Sequence, residues 1–187
     1  MTTLNVFAQS FVSRRASEVD NNMCAASLKM LDKAALIVSQ KKVADFLKKS
    51  NVRSDIAQDS RIANKMICVK ALNRAINILN FAMNASAAKL NECEDACVRT
   101  MLLHAKHSEA FDIADFDTAL DATVTVADER KHLFYKRKSH FAAINRHSQM
   151  TMRALSALNC VAYDANARKY RMNDNAITQA LRERLAA

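Results

Sequence analysis

Four residues between positions 93 and 107 carry the side chains zinc prefers: Cys93, Cys97, His104 and His107. At 100° per residue a helix puts all four on one face, and thiolates and imidazoles are good ligands for that ion. Distance works against a shared site. On a continuous helix Cys93 and His107 stand about 21 Å apart, at a 1.5 Å rise per residue. One tetrahedral ion can take a pair at i,i+3 or i,i+4, and the whole set only if the helix breaks between them. The plainer account is an apolar seam in which cysteine acts as a small hydrophobe. No metal or other cofactor is expected.

Other chemistry is thinner. Glu129 and His132 have the i,i+3 spacing of a ferritin-like half-site, but no second Glu-x-x-His is present to complete it. Asp112, Asp115, Asp117 and Asp121 could ligate Mg²⁺, yet this Asp-rich stretch reads more simply as a helix-capping connection. Nucleophile elbows, Walker loops and Rossmann fingerprints all need glycine, and the chain contains none. An enzyme is not expected.

Charge gives a stronger indication. The chain carries 28 Lys and Arg against 19 Asp and Glu, unevenly spread. Residues 1–100 hold 15 basic and 9 acidic residues, 101–129 hold 1 and 7, and 130–187 hold 12 and 3. Lys131, Lys136, Arg137, Lys138, Arg146 and Arg153 lie on one predicted helix, interleaved with Phe134, Tyr135 and Phe141, and Arg168, Lys169 and Arg171 extend the series. A row of cations at a spacing of seven or eight residues suits the phosphate backbone, which supplies most sequence-independent affinity for nucleic acid. The competing accounts are a solvated face, a surface meeting an acidic protein partner such as segment 109–129 of another copy, and an anionic membrane surface.

The elements that position these residues follow from one absence: 187 residues contain no glycine and no proline. Without glycine a positive φ is expensive and tight hairpins are disfavoured; without proline nothing breaks a helix from inside. The expected fold is all-α, a bundle of about five helices joined by Asn, Asp and Ser. The first spans about Leu4–Arg15, with Thr2 or Thr3 as its cap. The second runs from Asp20-Asn21-Asn22 to about Lys49, with a bend where Lys41-Lys42 interrupts its stripe. A turn follows at Ser50-Asn51, and Ser54-Asp55 caps a long third segment, about 55–108, either one helix or a helical hairpin breaking near Asn84–Ser86 or Asn91. Its heptad seam includes Val69, Leu72, Ile76, Leu79, Met83 and Leu90 and becomes polar through Cys93, Cys97, His104 and His107. A fourth helix spans about Asp117–Tyr163, and Asn173-Asp174-Asn175 caps a last one ending at Leu185. Thr123–Val126, the sole β-branched run, is too short for a sheet.

One helical domain, 1–187, is expected, with 1–20 able to serve as a docking arm and 164–187 as a basic extension. No run of about 18 apolar residues is present, so no membrane span is expected, and the first fifteen residues do not read as a secretory signal. Five scattered cysteines suit a reducing compartment, the cytoplasm or the inside of a virion, rather than a disulfide framework. In composition alone the chain is similar to subunits of nucleoprotein machines and to internal phage proteins. The expected function is sequence-independent nucleic-acid binding within a larger assembly. The alternative is a subunit of a homo- or hetero-oligomer whose seam packs on protein partners.

Overall fold

The computed structural model describes residues 4–21, 23–58, 67–83, 88–127 and 137–186, with the side chains of 122–127 and 137–144 outside that description. Among the described residues there are eight helices and one two-stranded sheet. The helical class holds, but the segments are shorter and more numerous than periodicity suggested.

Helices α1 (Val6–Asp20) and α2 (Ala25–Ser39) form an antiparallel hairpin. Asn5, rather than Thr2 or Thr3, caps α1 by accepting from the Ala8 amide at 3.0 Å. The Asn5 side-chain amide also donates to the Val38 carbonyl at the far end of α2, at 2.8 Å. Phe7, Ala8, Phe11, Arg14 and Glu18 are all buried on one face of α1. The segment read as a docking arm is thus half of a packed hairpin. Helix α3 (Lys41–Lys49) follows α2 across Gln40, at the interruption its lysines announced.

The expected 55–108 segment divides in two. Residues 54–58 form turns rather than a helix start, and 59–66 lie outside the described residues. Helix α4 (Val69–Ala82) ends at Met83, and α5 (Glu92–Lys106) begins after Asn91. Asn91 and Glu94 make a reciprocal capping box, satisfying two amides that the start of a helix otherwise leaves without partners. This places a break at one of the two sites the asparagines marked. Helix α4 is buried almost all round, at Leu72, Arg74, Ala75, Ile76, Ile78 and Leu79 among others, and packs on α2, on α7 (Arg137–Ala157) and on α8 (Ala176–Ala186). Lys70, Asn73, Asn77 and Asn80 keep one face of α4 open.

Helix α6 (Ile113–Ala127) includes Thr123–Val126, so the β-branched run is helical. The predicted helix from Asp117 to Tyr163 does not persist: α6 stops at Ala127 and α7 at Ala157, and 128–136 lie outside the described residues. Beyond α7 the all-helical expectation needs a correction. Strands β1 (Val161–Asp164) and β2 (Lys169–Met172) pair antiparallel, with Tyr163 opposite Tyr170 and Asp164 opposite Lys169. Phe111 adds a bridge to Tyr170.

The hairpin closes without glycine in two ways. Asp164 Oδ1 accepts from the amides of Asn166 and Ala167, at 2.9 and 3.1 Å, which is an Asx turn. Arg168 takes φ 53°, the left-handed region that glycine usually supplies. Asn51, Ser108 and Asn159 take the same region at the ends of α3, α5 and α7. A knot of asparagines then ties three ends together. Asn159 donates to the buried Ser50 carbonyl at 3.0 Å, and Asn175, the predicted cap of α8, donates to the Asn159 carbonyl at 2.8 Å while accepting from the Thr178 amide at 3.0 Å.

Candidate functional site

Cationic side chains gather in several places, the lysines of α3 among them, and two of these places involve α7. The first is the β1–β2 hairpin with the end of α7. Residues alternate faces along a strand, so Val161, Tyr163, Tyr170 and Met172 share one face, and Ala162, Asp164, Lys169 and Arg171 share the other. Arg168, Lys169 and Arg171 are exposed at the turn and on that outer face. On the inner face Tyr170 is buried against Phe111, while Tyr163 keeps half its surface in solvent with its ring centroid 4.9 Å from that of Tyr170. Burial raises the Tyr170 phenol, the neighbouring Tyr163 adds to this, and the charge of Arg153 opposes it. Arg153 of α7 therefore stands beside the hairpin. Arg146 lies seven residues earlier, two turns along nearly the same line of the helix, about 10 Å away.

The arginines of this region differ from the rest. Elsewhere, among the described residues, each is engaged. Arg15 pairs with Asp32, Arg53 with Asp55 at 2.6 Å, Arg99 with Asp95 at 2.8 Å and Arg182 with Asp174 at 3.3 Å. Arg14 pairs with Glu18, and Arg184 lies 4.2 Å over the Phe81 ring. No hydrogen bond or ion pair among the described residues engages Arg146, Arg153, Arg168 or Arg171. Of the other predicted cations, Arg137 and Lys138 begin α7 with side chains outside the description, and Lys131 and Lys136 lie outside the described residues.

The second place is a cavity of about 340 Å³ at the junction of α2, α4, α5 and α7. Lys70, Arg74 and Arg146 line it together with Asn77, Glu94 and His147. Arg74 is 9% exposed and Glu94 is fully buried. Arg74 Nη1 donates to Thr151 Oγ1 at 2.6 Å, and Nη2 meets His147 Nδ1. Glu94 accepts from Asn77 Nδ2 at 3.3 Å and from the Asn91 amide at 3.2 Å. Burial raises the Glu94 carboxyl, with these hydrogen bonds and then Arg74 opposing. Burial lowers the His147 imidazole, and the charges of Arg74, Arg146 and Lys70 lower it further. The ring is therefore held neutral, with Nδ1 as an acceptor for the guanidinium.

The cavity was not legible in advance. In the heptad frame Arg74 falls two positions past Leu72, on the solvent side, and the packing of α7 against α4 brings it in. The Asn91-x-x-Glu94 pattern was available as a capping box.

The metal candidates stay apart. Cys97 is buried, and burial pushes its thiol up to about 12. Burial also raises the half-buried Cys93. His104 Nδ1 is 3.2 Å from Glu109, and its ring packs on Phe111 at 5.7 Å, while His107 is exposed at the end of α5. Asp112 and Asp115 form the start of α6, with Asp112 Oδ1 accepting from the Ala114 amide at 2.7 Å and Asp115 Oδ2 from the Asp112 amide at 2.8 Å. Asp117 accepts from Asn145 at 2.8 Å. Among the described residues no group of three or more His, Cys, Asp or Glu could hold a metal ion. Glu129 and His132 lie outside them.

The seam residues Val69, Leu72, Ile76 and Leu79 are buried in the chain's own core, and Met83 and Leu90 are half-buried against it. Docking through that seam would require the core to open. Among the described residues no helix is long and apolar enough to cross a membrane.

No family model matches the chain, and neither a curated protein nor a solved structure does so.

Proposed function

We propose that the chain is a non-enzymatic helical protein that binds nucleic acid through phosphate contacts, independently of sequence, as part of a larger assembly. The proposed contacts are Arg146 and Arg153 of α7 together with Arg168, Lys169 and Arg171 of the hairpin. The observation that carries this reading is the contrast in partners. The arginines of the remaining helices are engaged within the chain, whereas among the described residues no hydrogen bond or ion pair engages Arg146, Arg153, Arg168 or Arg171. Phosphate contacts position a protein on nucleic acid without reading its bases, and such a row needs no more than charge and exposure. Tyr163, half-exposed on the opposite face of the hairpin from Lys169 and Arg171, offers a ring on which an unpaired base can stack.

The test is fluorescence anisotropy with unrelated single- and double-stranded oligonucleotides over a salt series. Four phosphate contacts give a slope of log K against log salt of about −3.5 on duplex. Replacing Arg168, Lys169 and Arg171 by Glu abolishes binding while circular dichroism is unchanged. Affinity that ignores salt, or survives the triple replacement, rejects the reading.

A further inference from the structure

The cavity between α2, α4, α5 and α7 holds a buried cation without the partner that burial ordinarily demands. Moving a guanidinium out of water is costly unless a carboxylate and further hydrogen bonds compensate it. The chain observes this rule at Arg14, which is buried with its ion-pair partner Glu18. At Arg74 the hydrogen-bond partners are neutral: a hydroxyl, an imidazole nitrogen and, at 3.5 Å, the His147 carbonyl. The one carboxylate of the cavity, Glu94, bonds to Asn77 and the Asn91 amide instead. Lys70 and Arg146 are exposed on the same cavity, so three cations face one buried acid.

We infer that this cavity binds a phosphate monoester group, with Arg74 at its base and Lys70 and Arg146 at its opening. Several features fit that chemistry. A dianion balances the excess of two cations, which a single carboxylate would not. A guanidinium has five N–H donors, and Thr151 and His147 use only some of them. Those two residues also hold the Arg74 fork in place, so little side-chain freedom is lost when an anion arrives. The Asn73 and Asn77 amides can donate to the remaining phosphate oxygens. The volume lies at the small end of ligand pockets, roughly 300–1,000 Å³, enough for a sugar phosphate or a nucleic-acid terminus but not for a continuous strand. The inference shares only Arg146 with the backbone reading above and stands without it, because the hairpin takes no part in the cavity.

Isothermal calorimetry on the full chain tests it with inorganic phosphate, ribose 5-phosphate and ribose. The phosphates bind saturably and ribose does not. The Lys70→Ala/Arg146→Ala variant, altered only at exposed positions, binds ribose 5-phosphate roughly tenfold more weakly or worse. Two further arms separate the sources of the group. A 5′-phosphorylated oligonucleotide that outbinds its 5′-hydroxyl counterpart marks the site as one for nucleic-acid ends. Binding of ribose 5-phosphate without that preference marks a small phosphorylated ligand. The hairpin variant Arg168→Glu/Lys169→Glu/Arg171→Glu keeps ribose 5-phosphate affinity even where oligonucleotide binding is lost. Absence of saturable binding by either phosphate overturns the inference. So does undiminished affinity in the Lys70/Arg146 variant, or loss of ribose 5-phosphate binding in a folded hairpin variant.

Discussion

Arg14 and Arg74 are both nearly withdrawn from water, yet they are compensated in opposite ways. Arg14 sits one turn before Glu18 on α1, forms an ion pair with it and donates to the Ala57 carbonyl at 3.3 Å. Arg74 leans on neutral groups beside a cavity. Closed compensation of the first kind fastens one element to another, here α1 to the turns after α3. Open compensation of the second kind leaves charge for a visitor. The difference predicts unequal responses to one substitution. Arg14→Met strands the Glu18 carboxylate in the interior and costs about 3–5 kcal/mol. The double variant Arg14→Met/Glu18→Leu recovers most of that loss. Arg74→Met leaves only neutral hydrogen-bond partners behind and costs about 1–3 kcal/mol. Urea unfolding measures all three, and equal losses for the two single variants would erase the distinction.

A subtler test lies at Glu94, the acid that accompanies Arg74 without being bonded to it. Burial raises its carboxyl, so the folded chain holds this proton to a higher pH than the unfolded chain does. Ionising Glu94 therefore weighs on the folded state: its contribution to stability falls as pH rises from the ordinary carboxyl value through the raised one. Glu94→Gln keeps an acceptor for the Asn91 amide and removes the charge. The variant is expected to melt higher than the parent at pH 8 and to converge with it near pH 4, and thermal scans across that range decide the matter. A parent that gained stability from Glu94 ionisation would show the reverse order. Phosphate in the cavity also opposes the three cations that depress His147, so its imidazole pKa rises on binding ribose 5-phosphate, which proton NMR reads directly.

These two centres also mark how far the sequence could be read. Absence of glycine and proline pointed to helices, asparagines located two joints, the break before α5 at Asn91 and the cap of α8 at Asn175, and the lysine pair located the one before α3. Those are local rules, settled within one turn of backbone. The hairpin escaped because a positive φ is disfavoured for arginine rather than forbidden, and the Asp164 turn, with pairing to Phe111, holds Arg168 there. The choice between one long helix and a broken one stayed open in the sequence because a heptad seam continues in register whether or not the chain between its halves stays helical. Arg168, Lys169 and Arg171 were legible as a charge run. The cavity was not, since it joins positions 70–77 to 146–151 across contacts that no spacing along the chain encodes.

The smallest effect concerns a pair with the same spacing as Arg14–Glu18 and the opposite setting. Asp95 and Arg99 are four residues apart on α5, 2.8 Å from each other, with the arginine side chain 56% exposed. In water their attraction is weak and largely offset by the entropy of fixing two side chains, so Arg99→Ala costs only about 0.3–0.5 kcal/mol. Screening distinguishes the two pairs further. At 1 M salt the Debye length falls to about 3 Å, and the Arg99→Ala loss should vanish. The Arg14→Met loss, shielded from ions by the protein itself, should persist. Salt-dependent unfolding of both variants measures this, and a shared salt response would mean that water reaches the Arg14 pair and that its compensation is not closed after all.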